Sequence, residues 1–367
     1  MQKNYKIFDF YEVRKENDEI MEKNDFLFSI IVPVYNTEKY IEESLNSIVK
    51  AMDTDCEVIV INDGSTDNSE QVVLNFINQL PEKYKNNFIY TKKENKGLAD
   101  TKNVGLEMSR GKYISVVDSD DYIGEDFYTI ARKYINNNAD MIIYDVYVVF
   151  EKERKWNYTS RGKSDSKENE LVAFLNGAIS GSSCNKIIKK DLYNDYKFPV
   201  GKEYEDTAVT PFLISNAKNI KYLPYALYYY RQRDKSIVAT NTLMSAFYKI
   251  AQNISEVIKE KQLDIDKYKY VINEFITDRM LDMLTQDYNE NKSHFINNLK
   301  SFAKDNNDTI KYILDSNMFY TIENHYSERQ KNLCIQILNL LLKDEYQKIC
   351  KLLKIRKIIN KIRSLKR

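Results

Sequence analysis

The sequence predicts an α/β fold, a mixed and mainly parallel sheet flanked by helices, followed by a C-terminal helical region. Three observations predict it. From Phe28 onward short apolar runs alternate with stretches of helical period, the pattern of strands joined by crossover helices. The first two runs, Ser29 to Val34 and Glu57 to Ile61, are dense in β-branched residues, as strands buried on both faces are. From about Thr242 to the C-terminus the chain keeps a helical period and contains neither proline nor glycine.

The elements follow in order. After the first strand, Ile41, Leu45, Ile48, Val49 and Met52 fall on one helical face, with Asn36 or Thr37 available to cap the first turn. The second strand ends at Asn62-Asp63-Gly64-Ser65, and a second helix turns Val72, Val73, Phe76, Ile77 and Leu80 inward. A short third strand lies near Phe88 to Tyr90. Leu98 to Ser109 reads as helix, with Gly111 as its C-terminal cap. The fourth strand, Tyr113 to Val117, runs directly into Asp118-Ser119-Asp120-Asp121. A helix over about Glu125 to Asn136 precedes the apolar run Met141 to Phe150, a strand. Glu151 to Glu170 is polar and aperiodic, a loop or insertion. Residues 171–240 are mixed and contain Pro199, Pro211, Pro224 and Tyr228-Tyr229-Tyr230. The expected organisation is an N-terminal extension over 1–27, an α/β domain over 28–240 with halves at 28–150 and 171–240, a helical region over 241–347, and a tail over 348–367.

Composition bounds the function. A chain of 367 residues exceeds one small module, and 43% hydrophobic with 30% charged residues is the balance of a globular protein with a sizeable core. Lys and Arg number 55 against 54 Asp and Glu, which argues against a chain-wide grip on nucleic acid. The only histidines are His294 and His325, too few for a His-rich zinc site and a poor start for a Ser-His-Asp apparatus, so acid, base and metal work falls to carboxylates. Cys56, Cys184, Cys334 and Cys350 show no CxxC spacing and read as free, partly buried thiols in a reducing compartment. Met1 to Asp25 is too polar for a secretory signal, and no apolar run approaches the roughly 18 residues of a spanning helix. A cytoplasmic location is expected, at most peripheral on the inner membrane face.

Charge is unevenly distributed. Lys348 to Arg367 holds nine basic residues and no acidic one, interleaved with Ile349, Leu352, Leu353, Ile355, Ile359 and Ile362 at helical spacing. Three readings stay open for this basic amphipathic helix: an anionic membrane surface, packing or self-association, and a nucleic-acid contact. The rest of the chain is left with 46 basic against 54 acidic residues.

No GxGxxG and no GxxxxGK[ST] occurs, so neither a dinucleotide fingerprint nor a Walker phosphate loop is available. In an open parallel sheet the ligand crevice lies beyond the carboxyl ends of the strands. Three such ends are polar here: Tyr35-Asn36, Asn62-Asp63-Gly64-Ser65 and Asp118-Ser119-Asp120-Asp121. Clustered carboxylates repel unless a cation offsets them. Asp118 and Asp120 point the same way on an extended stretch and suit Mg²⁺ or Mn²⁺ bridged to a diphosphate; a solvated acidic turn is the plainer alternative. Asp63 can accept from a base NH or belong to an ordinary turn, and Tyr35 can stack on a base or pack in the core.

Pro33-Val34-Tyr35-Asn36, Asn62-Asp63-Gly64-Ser65-Thr66-Asp67, Asn95-Lys96-Gly97-Leu98-Ala99 with Lys102-Asn103, and Asp118-Ser119-Asp120-Asp121 together resemble family 2 glycosyltransferases of the GT-A fold, in order and in spacing. A thinner likeness continues through Cys184-Asn185-Lys186, Glu205-Asp206 and Tyr230-Arg231 to Ser236-Ile237. The resemblance implies a metal-dependent inverting transfer of a sugar from a nucleotide-diphosphate donor, of the uridine type, to a surface glycan, glycoconjugate or teichoic-acid-like polymer. By it Pro33 and Tyr35 flank the nucleobase, Asp63 pairs with it, and Asp120 with Asp118 holds Mn²⁺ or Mg²⁺. Asp206 is the catalytic base and Glu205 orients the acceptor. Asn95, Gly97, Lys102, Ser119, Arg231 and Arg233 complete the donor-binding set. Lys102 stands where relatives often carry arginine, and Arg233 where they often carry histidine. Two other functions compete: a sugar nucleotidyltransferase, disfavoured because no glycine- and arginine-rich loop follows the first strand, and a degenerate glycan-binding scaffold, disfavoured because all four aspartates are retained. A homo-oligomer stays open.

Overall fold

The computed structural model describes residues 26–135, 138–150, 153–157, 180–202, 204–232, scattered positions between 284 and 314, and 328–364. The chain divides into two compact units, Met1–Gln232 and Arg233–Arg367.

In the first unit nine strands form one sheet in the order β3-β2-β1-β4-β8-β6-β9-β5, with β7 paired to β6. β1 (Phe28–Val34) and β2 (Cys56–Asn62) are buried at every position, which is why their sequences are continuously apolar rather than alternating. β3 (Phe88–Lys92) and β4 (Tyr113–Val116) extend the parallel part on either side. The helices α1 (Ile41–Ala51), α2 (Ser69–Gln79) and α3 (Leu98–Met108) are the crossovers. Because β2 lies on one side of β1 and β4 on the other, the strand order reverses at β1, and a crevice opens at its carboxyl end. Pro33 marks that opening. Pairing of β1 with β4 ends at Ile31 and Val116, so a residue without an N–H costs no ladder bond on that side.

The remaining strands are β5 (Tyr122–Ile123), β6 (Met141–Val149), β7 (Arg154–Asn157), β8 (Lys186–Lys189) and β9 (Ile220–Arg231). β8 runs antiparallel to both β4 and β6, so the segment leading into β8 arrives beside the carboxyl end of β4. The helices α4 (Phe127–Ile135) and α5 (Glu205–Asn216) complete this unit.

Several expectations need correction. Tyr40 is the residue before α1, and neither Asn36 nor Thr37 caps it by side chain; the Thr37 carbonyl accepts from the Tyr40 and Ile41 amides instead. Gly111 is no left-handed cap. A Cβ there would sit 2.5 Å from the Ser29 nitrogen, so the glycine permits a close approach of backbones. Part of the expected loop is strand β7, hairpinned on β6.

In the second unit α6 (Phe295–Asp305), α7 (Glu328–Leu342) and α8 (Tyr346–Ser364) pack on one another. Ile349 and Leu353 of the basic tail are fully buried, whereas Ile355 is 53% exposed. Part of the tail's apolar stripe therefore belongs to a core. Among the described residues no helix is long and apolar enough to cross a membrane. All four cysteines are free, three of them buried.

Candidate active site

Three segments meet where the strand order reverses. Tyr35 leaves β1 49% exposed, while Pro33 is buried within the strand, so only the tyrosine of that pair has an exposed surface. Asn36 adopts a left-handed conformation, φ 52°, which asparagine tolerates better than most residues. Its side-chain oxygen accepts from the Thr66 and Asp67 amides at 2.8 and 3.3 Å, tying the ends of β1 and β2 together.

Asp63 is 3% exposed. Its carboxylate accepts from the Lys96 and Gly97 amides at 3.0 and 2.9 Å and from the Lys93 ammonium. These groups fix the loop ahead of α3. Gly97 at φ 89°, ψ 170° lies in a region almost reserved for glycine. Asn95 in the same loop is exposed.

Beyond β4 the acidic turn is held from β9. The Asp118 amide donates to the Tyr228 hydroxyl, which donates to Asp121 at 2.8 Å. Arg231 donates from its backbone amide to Asp121 and from Nε to the Asp120 carbonyl, and its guanidinium reaches Glu43 at 2.7 Å. Arg231 thereby braces the acidic turn. Ser119 is buried and takes a hydrogen bond from the Thr37 hydroxyl at 3.0 Å, which ties the acidic turn to the segment after β1. Arg233 lies outside the described residues.

The third segment is the start of α5, entered through Tyr204 in a left-handed conformation, φ 60°, a strained geometry for an aromatic residue. Lys102, from α3, is 1% exposed and its ammonium sits 2.7 Å from Glu205 and 2.6 Å from Asp206. Lys102 is thus the shared counter-ion of both carboxylates. Burial alone would lower the lysine's pKa, but the charges of Asp206, Glu205 and Asp118 reverse that and hold it well above its ordinary value. Burial would raise Asp206; the Lys102 charge and hydrogen bonds from Lys102 and Ser183 keep it below the usual carboxylate value. Burial and the Asp206 charge raise Glu205 despite Lys102. The other Asp206 oxygen accepts from the Ser183 amide and hydroxyl at 2.9 and 3.0 Å. Neither Ser183 nor Lys93 stands out in the sequence; Ser183 adjoins Cys184-Asn185-Lys186, the single hint available.

Burial, with the charges of Asp120, Asp206 and Glu205 outweighing relief from Lys102, pushes Asp118 up to about 7. No donor among the described residues hydrogen-bonds its carboxylate. Lys102 offsets only part of the charge of these clustered carboxylates, and a divalent cation would fit beside them. Among the described residues no three His, Cys, Asp or Glu side chains form a ready coordination cluster; Mg²⁺ sites commonly take one or two carboxylates, with phosphate oxygens and water completing the shell.

The model for glycosyl transferase family 2 matches residues 29–197. The glycosyltransferase GlyG of Streptococcus pneumoniae is 31% identical over 250 residues, which cover 65% of this chain and 80% of that protein. The chain belongs to glycosyl transferase family 2. As such it is a glycosyltransferase enzyme. The poly(ribitol-phosphate) β-N-acetylglucosaminyltransferase TarS of Staphylococcus aureus is also 31% identical, over 68% of this chain, although the match spans only 43% of TarS. A crystal structure of TarS residues 1–349 with UDP-GlcNAc superposes with a TM-score of 0.66 at 23% identity, covering 90% of this chain and 92% of that one. The likeness shows the GT-A fold for this family member.

Proposed function

We propose that the chain is a metal-dependent inverting glycosyltransferase that moves a sugar from a uridine diphosphate donor to a hydroxyl of a surface glycan or polyol-phosphate acceptor. The observation that carries the reading is the convergence of Asp118-Asp120, Lys102 and Glu205-Asp206 from three distant segments at one sheet edge. The sugar nucleotide bound to TarS supports the donor class, and the name of that relative supports the acceptor class.

Tyr35 offers its exposed ring to the nucleobase, and Asp63 shapes the base end through the loop it holds. Asp118 and Asp120 would hold Mn²⁺ or Mg²⁺, which supplies charge neutralisation for the departing diphosphate. Asp206 accepts the proton of the acceptor hydroxyl as it attacks the anomeric carbon. Lys102 and Ser183 keep that carboxylate ionised and fixed, and Glu205 lines the acceptor side. The exposed basic face of α8, with Lys351, Lys354 and Ile355, would face an anionic surface.

Asp206→Asn keeps the shape and the Ser183 contact but removes the base. Turnover is expected to fall by about 10²–10⁴ with donor affinity nearly unchanged; full turnover would contradict the assignment.

A further inference from the structure

Lys186, the first residue of β8, is 1% exposed. Its ammonium donates to the carbonyls of Ser180 and Ser182 at 2.5 and 2.7 Å and to the side-chain oxygen of Asn185 at 2.7 Å. Three acceptors and no anion in contact is an unusual environment for a buried lysine, since a buried charge normally pairs with an opposite one. Burial accordingly lowers its pKa to about 7, against the favourable charge of Asp206.

The acceptors identify what the lysine holds. Residues 180–185 form an irregular segment between β7 and β8, and every carbonyl in it has a donor. The Thr210 hydroxyl serves Gly181 at 2.7 Å, the Lys186 amide serves Ser183, and the Tyr144 hydroxyl and amide serve Cys184 and Asn185. Among the described residues the Ser180 and Ser182 carbonyls have the Lys186 side chain as their donor. Ser183, between Ser182 and Cys184, directs both its amide and its hydroxyl onto Asp206. The segment also presses on the first turn of α5, because a Cβ on Gly181 would come within 2.3 Å of the Thr207 side chain. Ser180 and Ser182 are half-buried, so without the Lys186 ammonium their carbonyls must turn to water or shift to new donors, and a shift of this segment displaces Ser183.

We propose that Lys186 is a positioning residue for the catalytic base: by holding the Ser180 and Ser182 carbonyls it sets the segment whose Ser183 orients Asp206. The proposal rests on the reading of Asp206 as the base. Lys186 is not placed in contact with either substrate.

The test is a double-mutant cycle of Lys186→Met with Asp206→Asn, reading kcat, donor KM, affinity for uridine diphosphate with Mn²⁺, and the melting transition. Lys186→Met is expected to lower kcat by about 10²-fold, the effect of an ångström-scale misplacement, with donor KM and diphosphate affinity within about twofold. In the Asp206→Asn background the same substitution should have almost no further effect, since there is no base left to misplace. If Asp206→Asn alone leaves kcat intact, the base assignment fails. If Asp206→Asn lowers kcat and Lys186→Met lowers it again by its full factor, or if Lys186→Met acts on donor KM instead, the positioning role is overturned. Should the Met variant lose its cooperative melting transition, Lys186→Gln, which keeps two donors in the same space, takes its place in the cycle with the same criteria.

Discussion

Lys102 holds two carboxylates whose side chains are 7% and 16% exposed. Replacing it by methionine would leave Glu205 and Asp206 facing each other without their shared cation. Breaking a buried pair from one side typically costs about 3–5 kcal/mol, and Lys102→Met is expected to lose that much by urea denaturation. An unchanged midpoint would mean that the carboxylates find another cation. At the level of single residues the acidic turn at the end of a buried strand stood out by its chemistry, whereas Glu205-Asp206 reads by itself as an acidic helix start and was singled out only through the family resemblance, and the exposure of Tyr35 was not legible. The sequence was uninformative about direction. The tertiary contacts of Ser119 with Thr37, and of Arg231 with Glu43 and the Asp120 carbonyl, have no trace in the local sequence. The pairing of Lys102 with Glu205 and Asp206 was illegible for the same reason, because these partners lie more than a hundred positions away.

At the level of elements, periodicity located the buried parallel strands and their crossover helices to within a few residues, since burial on both faces leaves a continuous apolar run. The end structures were less legible. Gly111 follows a helix and so suggested a cap, yet its backbone is pressed against Phe28 and Ser29, with Glu57, Ser29 and Arg110 hydrogen-bonded around it. Gly111→Ala is expected to destabilise by about 1–3 kcal/mol, the cost of overpacking a close contact. Gly124→Ala is the control, because its nearest neighbour would lie 3.8 Å away. Equal denaturation midpoints for the two variants would show that the β1 backbone yields freely.

At the level of the whole molecule, near-neutral charge conceals an acidic body and a basic end. Helix α8 buries Ile349 and Leu353 but leaves Lys351, Lys354 and Ile355 exposed, a face suited to an anionic surface at the order of 1 kcal/mol per basic residue near it. Sedimentation with vesicles is expected to capture the chain on anionic but not zwitterionic lipid, and less at high salt; equal capture by both, or none, would contradict it. The central claim concerns chemistry. The most direct measurement is the product formed when the protein, Mn²⁺ and a panel of nucleotide sugars are incubated with and without glycan or polyol-phosphate acceptors. Release of nucleoside diphosphate, faster with the correct acceptor and lost on chelation of the metal, is the predicted result; pyrophosphate, or no product with any donor and acceptor, would contradict it.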